Sequence, residues 1–304
     1  MSNRDTWRRR RAEMEASPGR MSVVGRRRLP IMRTALHTGG LLSRLLGVAA
    51  WGRRKALKLE FTEFELHCPG LAAAFDGFTI LHISDPHIEA IPEIAALAAA
   101  RIAPLSVDVA VFTGDYQSDG GGFVSIPERC ADQLRPLVSA ITARDGIFGV
   151  LGNHDSRHMV EPLEALGVRM LLNERVTLTR GTDQLHIVGL DDLHVFYTEA
   201  AELMLHEQLS GFRLLLAHTP ELAGAAADAG FGLYLAGHTH GGQICLPNGH
   251  LLMTGLDVHA ALASGYWQLG GMHGYTNRGL GIASVPFRIN CPAEIALIRL
   301  RAVS

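Results

Sequence analysis

Five short polar motifs, each placed directly after a hydrophobic run, constrain the fold of this chain more than any other feature of its sequence. The runs TILHIS, VDVAVFT, GIFGVL, FRLLLA and FGLYLA have the length and composition of buried strands. The motifs that follow them are Asp85-Pro86-His87, Gly114-Asp115, Gly152-Asn153-His154-Asp155, His218 and Gly237-His238-Thr239-His240. In an α/β protein the carboxyl ends of the strands form the ligand-binding edge, so the five motifs are predicted to meet in one polar site.

The side chains of these motifs form a ligand set of carboxylates, one amide and imidazoles, with no thiolate. Such a set suits Mn²⁺, Fe or Zn²⁺ and disfavours Cu(I). Seven ligands exceed what one tetrahedral ion accepts, but they fill two open sites if one carboxylate bridges. We therefore expect two divalent ions, with Mn²⁺ first and Fe or Zn²⁺ as alternatives. The candidate metal ligands are Asp85, His87, Asp115, Asn153, His218, His238 and His240.

Each motif taken alone has a plainer explanation. A lone Asp-x-His in a loop is usually a solvated turn, and a lone Asn-His-Asp is more often a helix N-cap than a metal site. His82 lies inside a predicted strand and is expected to be an ordinary core or surface histidine. The ordered set of five motifs, rather than any one of them, favours a metal centre.

The complete set resembles the signature of the calcineurin-like metallophosphoesterases, and the resemblance covers roughly residues 60 to 300. A bacterial branch of small, often membrane-associated phosphodiesterases is closer still. Its features here are the run Gly237 to Gln243, the pair Asp191-Asp192 and the R-G-L-G from Arg278 to Gly281. Some members of that branch are UDP-diacylglucosamine pyrophosphohydrolases. Pro86 departs from the pattern, which usually has leucine there.

The resemblance implies a role for each motif residue. The first metal ion would be held by Asp85, His87 and His240. The second would be held by Asn153, His218 and His238. Asp115 would bridge the two ions.

Two further residues of the third motif are implied to be catalytic. His154 would be the histidine that binds no metal and that stabilises or protonates the leaving oxygen, since cleavage of a P–O bond needs an acid and histidine titrates near neutrality. Asp155 would orient His154 by accepting its other N–H. The alternative for Asp155 is N-capping of the following helix.

Three other residues are tentative substrate contacts. Arg278 follows the last ligand motif in a glycine-flanked loop and would contact a substrate phosphate, with a structural salt bridge as the alternative. Asp191 and Asp192 follow a predicted strand and would line the pocket, with a solvated turn as the alternative. His194 has no ligand-type spacing and is expected to be a loop histidine.

Strands and helices alternate along most of the chain, and short glycine-rich runs then predict antiparallel strands in its last third. This order predicts an α/β fold of two sheets packed face to face with helices outside. The resemblance implies the corresponding four-layer α/β/β/α sandwich of two packed mixed sheets. Gly120-Gly121-Gly122 is expected to form a flexible loop that covers the site.

Charge divides the chain into two parts. Residues 1–58 carry 15 Lys and Arg against 3 Asp and Glu, a net charge of +12, whereas residues 59–304 carry a net charge of −14. We therefore expect a basic, partly disordered arm followed by a catalytic domain. The four cysteines have no short-range spacing, which indicates buried, reduced thiols rather than a disulfide framework.

The basic arm is the part of the sequence that indicates the cellular location of the protein. Its arginine clusters in residues 1–30 are typical of a disordered polybasic tail. Residues 31–51 resemble an interfacial amphipathic helix that ends near Trp51, and their charges make a poor spanning helix. We expect a cytoplasmic protein held on the inner face of the membrane by anionic lipid. Export by a twin-arginine signal at residues 25–29 and a merely solvated tail remain alternatives, and no nucleic-acid partner is expected.

These observations predict a hydrolase with a dinuclear metal centre that cleaves a phosphodiester or pyrophosphate bond, with a lipid-linked nucleotide as candidate substrate. A phosphomonoesterase or protein phosphatase using the same site is the first alternative. A non-catalytic metal-binding scaffold is the second, and it is disfavoured because every ligand and His154 are present.

Overall fold

Two six-stranded sheets form the centre of the molecule. The computed structural model describes residues 3–16, 48–118, 125–247, 260–283 and 287–303. In this part of the chain the strands are β1 Leu59–Cys68, β2 Thr79–Ile83, β3 Val109–Phe112, β4 Ile147–Gly149, β5 Val168–Met170, β6 Glu174–Arg180, β7 Asp183–Gly189, β8 Phe212–Leu216, β9 Leu233–Ala236, β10 Gly265–Leu269, β11 Met272–Thr276 and β12 Ala293–Ala302.

Seven α-helices accompany these strands in the described ranges. They are α1 Asn3–Ala16, α2 Val48–Ala56, α3 Glu93–Ile102, α4 Pro127–Ser139, α5 Val160–Ala165, α6 Glu199–His206 and α7 Ala223–Asp228. None of the described helices is long and apolar enough to cross a membrane.

Both sheets are mixed. The first has the strand order β1-β12-β2-β3-β4-β5, in which β12 and β2 are antiparallel and the other pairs are parallel. The second has the order β10-β11-β9-β8-β7-β6, with a parallel centre and an antiparallel hairpin at each edge. The central parallel strands β2, β3, β8 and β9 are buried at every residue, as continuous hydrophobic runs predict.

Three apolar clusters hold the layers together. Inward side chains of the two sheets, such as Ile80 and Val111 from one and Leu214 and Leu235 from the other, pack face to face. The outer face of the first sheet packs on α3, α4 and α5, and that of the second on α6 and α7. The chain is therefore a four-layer α/β/β/α sandwich, and the predicted fold class is confirmed.

Two strands were not expected from the sequence. β6 alternates exposed and half-buried residues and carries three charges, as suits a solvated edge strand, so no apolar run marks it. β11 contains His273 and Gly274, and Gly274 leaves room for the Trp267 ring on the neighbouring strand. Residues 250–253, one of the short runs expected to form strands in the last third, and the glycine loop at 120–122 lie outside the described residues.

The N-terminal arm differs from the expected tail. Residues 3–16 form helix α1, which packs on the catalytic part of the chain through buried Trp7 and Arg11. Its arginines pair with body carboxylates: Arg4 contacts Glu164 at 2.6 Å and Arg8 contacts Glu161 at 2.9 Å. The opposite charges of arm and body explain this docking. Most of the predicted amphipathic helix, residues 31–47, lies outside the described residues.

All four cysteines are free and buried, as expected. The apolar stretch from Ala260 to Ala263 begins with a short 3-10 helix, and Leu262 and Ala263 are buried in the core of the second sheet. That stretch is therefore part of the packing of the fold.

Candidate metal centre

The five polar motifs follow β2, β3, β4, β8 and β9, and the chain turns after each strand bring their side chains together. The loops are tied by backbone hydrogen bonds: the amide of Asp85 donates to Gly114, that of His87 donates to Asp115, and that of Gly237 donates to His218, at 2.9 to 3.0 Å. The ligand-bearing ends of both sheets thus face one buried space.

The first ligand cluster consists of Asp85, His87 and His240, whose ligand atoms lie within 4.8 Å of one another. Oδ1 of Asp85 is 3.5 Å from Nε2 of His240. The rings of His87 and His240 are stacked with centroids 5.0 Å apart. All three residues are buried, so their lone pairs face one another rather than solvent.

The second cluster consists of Asp115, His218 and His238, again with ligand atoms within 4.8 Å. The Asn153 side chain completes it, because Oδ1 of Asn153 lies 3.1 Å from Nε2 of His218 and 2.9 Å from Nδ1 of His238. These two histidine nitrogens are themselves 3.2 Å apart. Four ligand atoms therefore converge on one small volume.

Asp115 lies between the two clusters. Its Oδ2 is 3.4 Å from Nε2 of His87 in the first cluster and 3.1 Å from Nε2 of His218 in the second. One carboxylate in reach of both clusters is the arrangement that a bridging ligand requires.

The tautomers of two histidines are set by backbone carbonyls. Nδ1 of His87 is 2.6 Å from the Gln117 carbonyl, and Nδ1 of His218 is 2.7 Å from the Thr113 carbonyl. Because a carbonyl only accepts, each Nδ1 carries a proton and donates it, which leaves Nε2 directed at the cluster. Nε2 of His87 and Nε2 of His240 are buried without a hydrogen-bond partner.

The charges and buried nitrogens of the site favour the binding of cations. Burial opposes the charged form of His218, yet Asp115 and Asp85 raise the pKa of its imidazole well above the usual value. Burial also raises the pKa of the Asp115 carboxyl, but His218 and His154 outweigh it and hold that pKa well below its usual range. Burial and His218 lower the pKa of His238 to about 3, which keeps that ring neutral. Unpaired buried nitrogens beside carboxylates fit divalent cations.

The backbone of the centre is strained. Five candidate ligands have positive φ without being glycine: Asp85 at 47°, His87 at 35°, Asp115 at 57°, His238 at 71° and His240 at 51°. Such conformations cost about 1–3 kcal/mol each and concentrate at functional sites. Gly237 shows how closely the loops approach, because a Cβ there would collide with the Ser84 hydroxyl and the Asp85 carboxylate.

A chain of hydrogen bonds, in which each donor can be assigned, ends on the Asp85 carboxylate. The Thr113 hydroxyl donates to Oγ of Ser84 at 2.6 Å, and the Ser84 hydroxyl donates to Oδ2 of Asp85 at 2.5 Å. Because the Thr113 proton is used in this way, Nε2 of His82, at 2.9 Å, must donate to Thr113. Burial lowers the pKa of His82 to about 3, so the ring is neutral. His82 is therefore a core histidine that contributes to the support of a candidate ligand.

His154 borders both clusters through its backbone and its ring. Its amide donates to Oδ1 of Asp115 at 2.9 Å, and its ring centroid lies 5.4 Å from that of His87. The Asp155 carboxylate accepts the backbone amides of Asp115 and Gly152 at 2.8 Å and of Gln117 at 3.0 Å.

Asp155 thus joins two ligand-bearing loops. The N-cap position of the following short helix is Ser156, so the capping alternative for Asp155 does not hold. Burial and the neighbouring Asp115 raise the pKa of Asp155 to about 6, against the backbone amides that favour its charged form. Orientation of the His154 ring by Asp155 stays a prediction.

The three tentative substrate residues form ion pairs and hydrogen bonds with other residues of the protein. Nη2 of Arg278 pairs with Glu294 at 3.0 Å and with Glu60 at 3.1 Å, which is the salt-bridge alternative. Asp191 accepts hydrogen bonds from Trp7 and Arg11 of α1. The Asp192 carboxylate, also buried, accepts the backbone amides of His194 and Val195.

Three residues near the centre were not expected from the sequence. The His194 ring lies 5.2 Å from that of His238 and its Nδ1 is 3.1 Å from Glu221, although nothing in its spacing marked it. Trp7 and Arg11 of α1 both contact Asp191, and Arg11 also contacts the third-motif loop. Only the tryptophan within an arginine run could have indicated that this segment packs.

The fold and the site together define an α/β metallohydrolase. The family model described as calcineurin-like phosphoesterase matches residues 78–242, more than half of the chain. The chain therefore belongs to the calcineurin-like phosphoesterase family and is a metallophosphoesterase, which confirms the resemblance carried by the motifs.

Relatives cover most of the chain. Metallophosphoesterase YkuE of Bacillus subtilis is 28% identical over 257 residues, which span 81% of this chain and 87% of the relative. Phosphodiesterase YaeI of Escherichia coli is 29% identical, over 68% of this chain and 80% of the relative. UDP-2,3-diacylglucosamine pyrophosphatase LpxG of Chlamydia trachomatis is 27% identical, over 79% of this chain and 89% of the relative.

Proposed function

We propose that the chain is a hydrolase with two divalent metal ions that cleaves a phosphodiester or pyrophosphate bond. The position of Asp115 carries this proposal, since its Oδ2 lies within 3.4 Å of a histidine nitrogen in each ligand cluster. Asp85, His87 and His240 would hold one ion, and Asn153, His218 and His238 the other, with Asp115 shared. The donor set of oxygen and imidazole favours Mn²⁺, with Fe or Zn²⁺ as alternatives.

Two bound ions would supply an activated water and neutralise charge at phosphorus. The side chains of the protein would hold the ligand-bearing turns in place and supply the proton. The Asp155 carboxylate fixes the turn that carries Asn153 and His154 by accepting the Gly152 amide, and it fixes the Asp115 turn in the same way. His154 would donate a proton to the leaving oxygen, because its ring borders the first cluster without belonging to either ligand set.

The proposed substrate class is a phosphodiester or pyrophosphate of a lipid-linked nucleotide. The support is the activity after which two relatives are named, a phosphodiesterase and a UDP-2,3-diacylglucosamine pyrophosphatase. A basic patch on α2, formed by Trp51, Arg54 and Lys55 of the helix and by Lys58 just beyond its end, gives independent support for work at an anionic surface. Trp51 is 41% exposed, and Nζ of Lys55 lies 5.6 Å from its ring centroid.

The same patch supports a proposed location on the inner face of the membrane. An exposed tryptophan among cations is typical of a helix that rests on lipid headgroups. We propose that residues 59–304 form the body of the catalytic domain and that the basic residues of this patch contact anionic lipid. Export by a twin-arginine signal is the competing proposal, and recovery of protein outside the cytoplasm with a cleaved N-terminus would favour it.

One substrate panel tests the proposed function. Purified full-length protein is assayed with bis(p-nitrophenyl) phosphate, p-nitrophenyl phosphate and a UDP-linked diacyl sugar, each with Mn²⁺, Zn²⁺ and Mg²⁺. We expect turnover of the diester and of the lipid-linked pyrophosphate, dependent on added metal and abolished by chelation. Turnover of the monoester alone would replace the proposal with a phosphomonoesterase, and no turnover with any metal would contradict it.

A further inference from the structure

Helix α1 packs against the loop that carries Asn153 and His154, far from its own position in the sequence. Two side chains one helical turn apart, Trp7 and Arg11, face the body of the protein and are buried. The Trp7 indole Nε1 donates to Oδ2 of Asp191 at 2.7 Å, and Nη1 of Arg11 donates to Oδ1 of Asp191 at 2.5 Å. One carboxylate next to the centre therefore anchors both residues of the helix.

Arg11 also contacts the loop itself. Its Nη2 donates to the carbonyl of Asp155 at 2.6 Å and approaches the carbonyl of Gly152 at 3.4 Å. These two carbonyls flank Asn153 and His154, the residues whose side chains face the ligand clusters. From the other side, the Asp155 carboxylate accepts the Gly152 amide. The turn is thus held at both ends, and Arg11 provides the outer support.

The environment of Arg11 suits a guanidinium and no other side chain. Nε of Arg11 lies 3.3 Å from Oε1 of Glu15. Its two terminal nitrogens donate hydrogen bonds to Asp191 and to the loop. Its Cζ lies 3.3 Å from the centroid of the Phe196 ring, so the guanidinium stacks on that ring. Only 1% of the residue is exposed. A lysine offers one point charge and cannot reach a carboxylate and two carbonyls together or stack on the ring.

We infer that Arg11 is a positioning residue of the centre, and that α1 holds the Gly152–Asp155 turn so that Asn153 and His154 face the ligand clusters. This inference rests on the proposed function, because it assigns Arg11 an effect on turnover. It also makes residues 3–16 part of the catalytic unit and not a separate basic tail.

The helix provides its own matched control. Arg9 lies two residues from Arg11, on the solvent side of α1, and is exposed. Arg9→Ala and Arg11→Ala remove the same charge from the same helix, but only the second removes contacts with the loop and Asp191. Arg11→Lys keeps the charge without the fork of donors.

The experiment measures kcat and KM for a soluble diester, metal content, and hydrogen exchange of the peptides that cover residues 115–117 and 152–157. We expect Arg11→Ala to lower kcat by about 10²-fold with KM nearly unchanged, the usual effect of a displaced catalytic group. Exchange in both peptides should rise. Millimolar guanidinium chloride should restore kcat and slow exchange in this variant, whereas sodium chloride should not. Arg11→Lys should stay impaired, and Arg9→Ala should match wild type.

The outcomes separate this inference from the proposed function. If wild-type protein hydrolyses nothing, the proposed function fails, and the exchange measurement still tests whether Arg11 holds the turn. Unchanged kcat and exchange in Arg11→Ala would overturn the inference. So would an impairment that guanidinium does not relieve, since that would make Arg11 a residue of general stability. Higher turnover in Arg11→Ala would make α1 an inhibitory helix and would equally overturn it.

Discussion

The hydroxyl of Ser84 donates a 2.5 Å hydrogen bond to Oδ2 of Asp85, a carboxylate whose Oδ1 lies 3.5 Å from Nε2 of His240. The bond fixes which oxygen of Asp85 faces the first ligand cluster. Ser84 in turn accepts a hydrogen bond from Thr113, so the orientation of the carboxylate depends on the residues that directly follow two neighbouring strands. Such outer partners of metal ligands tune affinity although they never touch the ion.

Ser84→Ala should therefore weaken the first metal site without unfolding the protein. We expect metal affinity or activity to fall by about 10–100-fold, the usual effect of removing an outer partner. The measurement is a titration of metal-free protein with Mn²⁺, followed by turnover and by metal content. Ser139→Ala, at the exposed end of α4, is the control and should bind metal normally. Full affinity in Ser84→Ala would refute the supporting role of this serine.

His154→Ala separates chemistry from metal binding. The ring borders the first cluster but is outside both ligand groups, so metal content should stay near that of wild type. Turnover should fall by about 10²–10⁴-fold, the contribution of a positioned acid–base group. Metal analysis and steady-state kinetics on the same preparation check both expectations. Loss of one metal equivalent would instead make His154 a ligand.

The basic patch on α2 should bind anionic membranes. Reversing two of its charges, Arg54→Glu with Lys55→Glu, should reduce co-sedimentation with vesicles that contain anionic lipid and leave turnover of a soluble diester unchanged. Added salt should weaken wild-type binding, because exposed charges are screened over about 10 Å at 0.1 M ionic strength. Arg101→Glu, in the last turn of α3, is the control for a surface charge elsewhere. Equal sedimentation of all three proteins at low salt would remove the membrane proposal.

The strands that position the site were predictable because parallel strands buried on both faces are mostly apolar. β2, β8 and β9 show such runs, interrupted in β2 by His82 and in β8 by Arg213, and the polar residue that ends each run marks its carboxyl end. The convergence of His218 and His238 then follows from the rule that the ends of parallel strands share an edge of their sheet. Asp85 comes from the other sheet and meets them because the two sheets pack face to face. Local pattern and sheet geometry were sufficient here.

Contacts between distant segments were not predictable in the same way. Arg11 lies 144 residues from Asp155, and an arginine within a run of four has no local property that distinguishes it from its neighbours. His82 resembled an ordinary core histidine because its value to the site depends on Thr113, which directly follows another strand. β6 was missed because a solvated edge strand needs few apolar residues. In each case the deciding partner is remote in sequence.

The most direct test of the dinuclear centre is the metal content and turnover of Asp115→Asn. Asp115 Oδ2 reaches His87 and His218 in separate clusters, so removal of its charge should weaken both sites at once. Circular dichroism should show a retained fold. Inductively coupled plasma mass spectrometry on wild type should give two equivalents of metal, and the variant should bind less than one and show no measurable diester hydrolysis. Two equivalents of metal with near-wild-type turnover in Asp115→Asn would contradict the account.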